Sequence, residues 1–282
     1  MRDRAARATP ESRETGIDGP RLSDVARQFA NVFAAIFQIS ASYTVGSSVG
    51  AIAQEYRSSI LPATYAFTIW GPIFILCGIY AVYQALPAQR ENPIFRAIGW
   101  WTAGAFLANG AWSYAYTSRQ FLLAQAIIVA GLILAGGAYL NVVRGVPAAR
   151  AANIDNWLIG PTLGLLFGWL TAASAVGLAG TLIAGGFAAS GQGAEIRDAA
   201  LLLLGGAVAF LVILASRQGP YGAWVSFGAA VLWALVAIIV EQRSTSIMTT
   251  ATAGVIAVIV LFAAFGARGT PTRPPGRSAP AS

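Results

Sequence analysis

Six aromatic or amide side chains lie in three apolar stretches of the sequence: Tyr65, Phe67, Trp70, Asn109, Trp112 and Trp169. Four of them, Trp70, Asn109, Trp112 and Trp169, are expected at a similar depth in the membrane, where they could line a site for a flat apolar molecule. Aromatic faces bind flat apolar ligands by stacking, and an amide adds a hydrogen bond that fixes their orientation. Asn109 and Trp112 are three residues apart and therefore share one face of a helix. The alternative is that these side chains fill the core of a helix bundle and bind no ligand.

The first of these stretches, residues 61–86, is long enough to cross a bilayer, which takes roughly 20 helical residues. Its first half combines aromatic side chains with Pro62, Gly71 and Pro72. A proline inside a helix removes a backbone donor and bends the chain, so a bend at Pro72 is expected to help shape a cavity. An aromatic belt at the membrane interface with a tolerated kink would give the same pattern.

Side chains suited to acid–base, metal or covalent chemistry are scarce. The chain has no His, and all 18 basic residues are Arg, so a lysine Schiff base is excluded. The single cysteine, Cys77, lies in an apolar stretch, and no Asp or Glu falls inside a predicted span. Proton relays in membranes need such ionisable groups. The sequence therefore predicts no catalytic residue, no metal site and no cofactor, and it disfavours a transporter with a carboxylate relay.

Composition sets the fold class. The chain is 56% hydrophobic and only 10% charged, which is typical of an all-α polytopic membrane helix bundle. Hydropathy predicts about eight transmembrane helices. The predicted spans are residues 28–50, 61–86, 97–117, 121–143, 157–182, 199–215, 221–240 and 247–267.

The arginines predict the orientation of these spans. With the N-terminus in the cytoplasm, fourteen arginines fall in inner segments and four in outer loops, as the positive-inside rule requires. We therefore expect a multi-pass protein of the bacterial inner membrane with both termini cytoplasmic. Residues 1–27 and 268–282 are expected to be disordered cytoplasmic tails. Since the arginines are scattered, no nucleic-acid partner is expected.

One span has a packing motif. Gly160, Gly164 and Gly168 recur every four residues, which makes a smooth groove for a neighbouring helix. The neighbour could belong to the same bundle or to a second copy of the chain, so a homodimer is one of two interpretations.

Three stretches taken together resemble a known family. They are PATYAFTIWGPIF (62–74), FLANGAWSYAYTSRQFLLAQAIIVAGLILAG (106–136) and LLFGWLTAASAVG (165–177). In this order they are similar to the tryptophan-rich sensory protein family, also called the TspO/MBR or translocator (peripheral benzodiazepine receptor) family. The chain departs from the family pattern in having a single Pro62 before the aromatic residues and Phe74 where the family often has Trp.

The resemblance implies a five-helix core over residues 28–182 and a three-helix membrane extension over 183–267. It also implies a pocket for porphyrins, sterol-like lipids or drug-like molecules, covered by a lid at residues 51–60. The six side chains named at the outset would line that pocket. Trp70 and Trp169 would stack on the ligand, Asn109 would hydrogen-bond to it, and Pro72 would hold the helix bend.

The sequence thus predicts a membrane ligand-binding or sensory protein that binds a planar apolar molecule such as a porphyrin, with membrane lipid as a further partner. Because there is no His to ligate iron, a metal-free porphyrin or a lipid is favoured over heme. A small-molecule or lipid transporter, with the extra spans as a moving half, is the alternative. A light- or metal-dependent membrane enzyme is a third interpretation.

Overall fold

Eight α-helices run up and down through the computed structural model, which describes residues 21–266. They are α1 (Leu22–Glu55), α2 (Trp70–Ala85), α3 (Pro93–Thr117), α4 (Phe121–Gly145), α5 (Gly160–Ala184), α6 (Gln192–Ser216), α7 (Tyr221–Gln242) and α8 (Ile247–Phe265). The described part contains no strand. The predicted all-α bundle of about eight helices is confirmed.

The first helix is longer than predicted. It begins at Leu22, so the last six residues of the predicted 1–27 tail are helical. The Asp24 carboxylate in the first turn accepts a hydrogen bond from the backbone N–H of Arg21. It also forms an ion pair with the guanidinium of Arg96 on α3, with the nitrogen and oxygen 2.6 Å apart. A hydropathy profile penalises these charges and cannot detect that they neutralise each other. The rest of that tail and the predicted tail at 268–282 lie outside the described residues.

Seven of the described helical segments are long and apolar enough to cross a membrane, so the protein is a multi-pass membrane protein. The remaining helix, α3, carries more polar side chains and packs between α1 and α4. Its polar side chains Thr102 and Asn109 are buried and hydrogen-bond to Asn31 and Gln38 of α1, which explains why the bundle tolerates them.

The loops divide into two groups by the end of the bundle at which they lie. The lid end consists of loops 56–63, 118–120, 185–191 and 243–246, and the opposite end consists of 86–92, 146–154 and 217–220. At the opposite end, the Ala148 N–H donates to the Gln218 carbonyl at 2.7 Å. Because the number of helices is even, both ends of the described chain also lie at the opposite end.

Helix α7 fills the glycine groove of α5. A Cβ atom at Gly168 would lie 2.5 Å from the carbonyl oxygen of Phe227, and one at Gly160 would lie 2.7 Å from the backbone nitrogen of Ala223. Both distances are far below van der Waals contact, so the two backbones approach this closely only because the side chains are absent. The helix that occupies the groove therefore belongs to the same chain.

Two carboxylates are buried within α-helices, and a third, Asp155, is buried in the π-helical turn before α5, whereas the sequence analysis placed every acidic side chain outside the spans. Asp24 is paired with Arg96, and Asp198 of α6 accepts hydrogen bonds from Ser59 and Arg197. Burying a charge is tolerated when an opposite charge and hydrogen bonds compensate it. Both groups therefore have the partners that a structural ion pair needs.

Candidate ligand-binding site

A large cavity, which we call the wide groove, lies between α1, α2 and α3 and has a volume of about 1110 Å³. It forms because α1 packs closely on α3 but diverges from α2. Gly71 and Gly78 of α2 line it, and a Cβ atom on either would have no atom within 4 Å. These glycines are therefore not required by packing, and their effect is to leave the groove open.

The wide groove opens to the side of the bundle. Ile75, Ile79 and Val82 line it, and they are 64%, 51% and 66% exposed. Apolar side chains with this exposure in a membrane protein face lipid. A molecule dissolved in the bilayer can therefore reach the groove without crossing water.

A second, much smaller cavity, the inner chamber, lies beneath the loop 56–63 and has a volume of about 70 Å³. Tyr56, Pro62 and Trp169 are among the residues that line it. The volume corresponds to about two water molecules at roughly 30 Å³ each. The inner chamber therefore has no room for a flat ligand while its walls keep this arrangement.

An aromatic wall separates the two cavities. Phe67, Trp70 and Trp112 line both of them. From the inner side, Trp169 meets the wall edge-on, with ring centroids 6.1 Å from Trp70 and 6.2 Å from Phe67 at interplanar angles of 84° and 82°. Edge-to-face contacts at this distance are favourable for aromatic rings. Trp169 therefore supports the wall from behind.

Trp169 also has an unsatisfied donor. Its side chain is 3% exposed, and its indole N–H has no hydrogen-bond partner among the described residues. An unpaired buried donor costs about 1–3 kcal/mol. The nitrogen itself has almost no accessible surface, so an acceptor could reach it only after neighbouring side chains move.

The backbone of the second span changes helix type just before the wall. Residues Thr64–Ile69 form a 3-10 helix, and α2 begins at Trp70. Pro72 falls in the first turn of α2, where its missing N–H removes no helical hydrogen bond. The irregularity predicted at Pro72 thus lies two residues earlier, at the junction. Trp70 and Phe74 are four residues apart in α2, so their rings are neighbours on one helix face and stack with centroids 5.1 Å apart.

Asn109 lines the wide groove from α3, on the same helix face as Trp112. Its side-chain amide donates to the amide oxygen of Gln38 on α1 at 3.1 Å. Gln38 is fully buried. This hydrogen bond fixes the orientation of the Asn109 amide and joins the two helices that form one side of the groove.

The structure brings most of the predicted site residues together, but not all of them. Phe67, Trp70, Asn109 and Trp112 line the wide groove, and Trp169 lies behind them in the inner chamber. Tyr65 lines neither cavity; it is 39% exposed and packs edge-on against Trp233 of α7 at 5.5 Å. The resemblance placed Tyr65 in the pocket beside Phe67, but in this chain its ring lies against α7.

Sequence reasoning missed other parts of the site. The predicted lid at 51–60 is half helix, since α1 continues to Glu55 and the loop over the inner chamber is 56–63. Tyr56 and Gln38 were not proposed as site residues. The polar character of the first span was a signal for Gln38, but Tyr56 stands in a loop where nothing in the sequence distinguishes it.

One comparison with known proteins gives a match. A family model described as TSPO-like protein matches residues 25–265, from the start of α1 to the end of α8. The match continues past residue 182, where the resemblance in the sequence ended, and includes α6, α7 and α8. Comparisons with curated proteins and with solved structures found no match.

Proposed function

The chain belongs to the TSPO-like protein family, and from this premise we propose that it binds a planar, largely apolar molecule such as a metal-free porphyrin in the wide groove. The observation that supports the proposal is the aromatic wall beside a cavity of about 1110 Å³. Ligand pockets in proteins have volumes of about 300–1,000 Å³. The wide groove has the room for such a ligand, and the inner chamber does not.

The volumes also decide which side chains touch the ligand. Trp70 and Trp112 face the wide groove, so they are the contacts available to a flat molecule there. Trp169 lies on the far side of the wall and would hold Trp70 in place. A small acceptor substituent of the ligand could reach the Trp169 indole N–H only if the wall opens.

The chemistry of the lining favours binding over catalysis. No acidic, basic or cysteine side chain lines the wide groove in the described part of the chain. Its polar groups are the amide of Asn109 and a few hydroxyls, which orient a ligand but do not activate it. We propose that membrane lipid occupies the groove when the ligand is absent, because the groove is open to the bilayer.

We further propose that the protein lies in the bacterial inner membrane with the opposite end of the bundle in the cytoplasm. Within residues 21–266, seven arginines lie at the opposite end and four at the lid end. This asymmetry agrees with the positive-inside rule. Both chain termini would then lie in the cytoplasm.

A titration with protoporphyrin IX tests the proposal, with the absorbance of the porphyrin itself as the readout, because this signal does not depend on the number of tryptophans. Replacing Trp70 by Leu removes a stacking face, and we expect the affinity to fall about 5- to 30-fold. The matched control is Trp157→Leu. Trp157 is 68% exposed and lines neither cavity, so the affinity should be unchanged.

Two results would contradict the proposal. Non-saturable uptake by the wild-type protein would mean that the porphyrin only partitions into the detergent or lipid. Equal affinities of the Trp70→Leu and Trp157→Leu variants would mean that the ligand binds elsewhere.

A further inference from the structure

The loop over the inner chamber is fastened by the last three helices of the chain. Hydrogen bonds and one ion pair join residues 57–66 to α6, α7 and α8. Loops between helices usually lie free on the surface and move more than the helices they connect. A loop with this many polar contacts to other helices needs a separate explanation.

The anchor on α6 is Asp198, which is fully buried. One carboxylate oxygen accepts hydrogen bonds from both the backbone N–H and the hydroxyl of Ser59, each at 2.9 Å. The other oxygen accepts from the Arg197 guanidinium at 2.8 Å. Charge-assisted hydrogen bonds of this kind are about twice as strong as neutral ones. The loop is therefore attached to α6 at a compensated, buried charge.

Helix α8 contributes a hydroxyl to the same point. The Thr249 side chain donates to the Ser59 hydroxyl at 3.2 Å. The neighbouring Ser246 hydroxyl donates to Glu195 of α6 at 3.0 Å, which joins the two helices beside the loop. The contact on Ser59 thus comes from a pair of helices that are themselves linked.

Helix α7 holds the next part of the loop by hydrogen bonds to the loop's backbone groups. The Gln242 side-chain amide donates to the Leu61 carbonyl at 2.9 Å, and the Ala63 N–H donates to the Ala237 carbonyl at 3.1 Å. Within the 3-10 helix, the Ala66 carbonyl accepts from the Trp233 indole N–H at 2.9 Å. The residue that follows Ala66 is Phe67, the first member of the aromatic wall.

From these contacts we infer that α6, α7 and α8 act as a clamp, which keeps the loop 56–63 closed over the inner chamber and the aromatic wall in position, and so slows release of the ligand. This rests on the proposed function for the identity of the ligand. The ligand leaves through the lateral opening of the wide groove whether or not the loop is closed, so the clamp acts on its release through the position of the aromatic wall on which the ligand stacks. Loosening the clamp should free the loop and speed release.

Two variants and one matched control test the clamp. Thr249→Val keeps the shape of the side chain and removes the donor to Ser59, while Thr250→Val makes the same change at a hydroxyl that is buried without a partner in the described structure. Asp198→Asn removes the charge. Hydrogen exchange of residues 57–66 is measured on the ligand-free protein, and the dissociation rate of protoporphyrin IX is measured on the loaded protein.

We expect Thr249→Val to raise both the exchange of the loop and the dissociation rate about fivefold, Asp198→Asn to raise them about tenfold or more, and Thr250→Val to change neither. If Asp198→Asn does not fold, Thr249→Val decides the question. Exchange and dissociation equal to those of Thr250→Val would overturn the clamp, as would faster loop exchange with unchanged dissociation. If the wild-type protein binds no porphyrin, the proposed function fails, while loop exchange still shows whether α6–α8 hold the loop.

Discussion

The close contact between α5 and α7 predicts whether a substitution there raises or lowers the free energy of unfolding. Replacing Gly168 by Ala puts a Cβ atom 2.5 Å from the carbonyl oxygen of Phe227 and 3.0 Å from the Cβ atom of Ala230. A backbone oxygen cannot rotate away, so α7 must shift. Overpacking of this kind costs about 1–3 kcal/mol, and the better helix propensity of Ala returns about 0.5–1 kcal/mol.

The expected result is a net loss of about 0.5–2 kcal/mol in the free energy of unfolding. Gly254 of α8 is the matched control, because a Cβ atom there meets nothing within 4 Å. Gly254→Ala should therefore gain about 0.5–1 kcal/mol from propensity alone.

Thermal unfolding in detergent, followed by far-ultraviolet circular dichroism at one scan rate, measures both variants. At about 2–4 °C per kcal/mol for a chain of this size, the midpoint should fall by about 1–8 °C for Gly168→Ala and rise by a few degrees for Gly254→Ala. A Gly168→Ala variant that is as stable as the Gly254→Ala variant would refute the close approach of α5 and α7.

Two further predictions concern polar contacts between distant segments. Trp233→Phe keeps an aromatic ring against Tyr65 but removes the indole donor to the Ala66 carbonyl. We expect a loss of about 1 kcal/mol in unfolding free energy and faster hydrogen exchange of residues 64–69, while the control Trp157→Phe should change neither. An unchanged exchange rate in Trp233→Phe would contradict the role of this hydrogen bond. Arg96→Gln leaves the buried carboxylate of Asp24 without its main partner, so we expect a loss of about 2–4 kcal/mol, measured by the same thermal unfolding. The exposed pair of Arg119 and Glu55 is the control, and Arg119→Gln should leave the midpoint nearly unchanged; equal shifts for the two arginine variants would contradict the importance of burial.

The helices were predictable because the signals that define them are local. An apolar stretch of about 20 residues between polar loops has one good solution in a membrane. Local patterns also predicted that Trp70 and Trp112 would lie at a similar depth, and both line the aromatic wall. The glycines of α5 indicated a helix contact, although the sequence did not show that α7 makes it.

Contacts between residues far apart in the chain were not predictable. Asp198 and Ser59 are separated by 139 residues, and Gln242 and Leu61 by 181. The pattern of apolar residues in the sequence does not indicate which distant loop a buried carboxylate will contact. Asp24 was assigned to a tail because hydropathy scores each charge alone, whereas its burial depends on Arg96 in another helix. Tyr65 was assigned to the pocket by resemblance, which does not reveal that in this chain α7 offers Trp233 as its packing partner.

The most direct test of the account fills the wide groove and asks whether the ligand still binds. Gly78 lines the groove and has open space around it, so Gly78→Phe should fold normally and occupy the site with a phenyl ring. Gly254→Phe is the control on α8. Equilibrium titration of both variants with protoporphyrin IX in proteoliposomes should show an affinity at least about tenfold weaker for Gly78→Phe and unchanged for Gly254→Phe. Equal, wild-type affinities for the two variants would contradict binding in the groove between α1, α2 and α3.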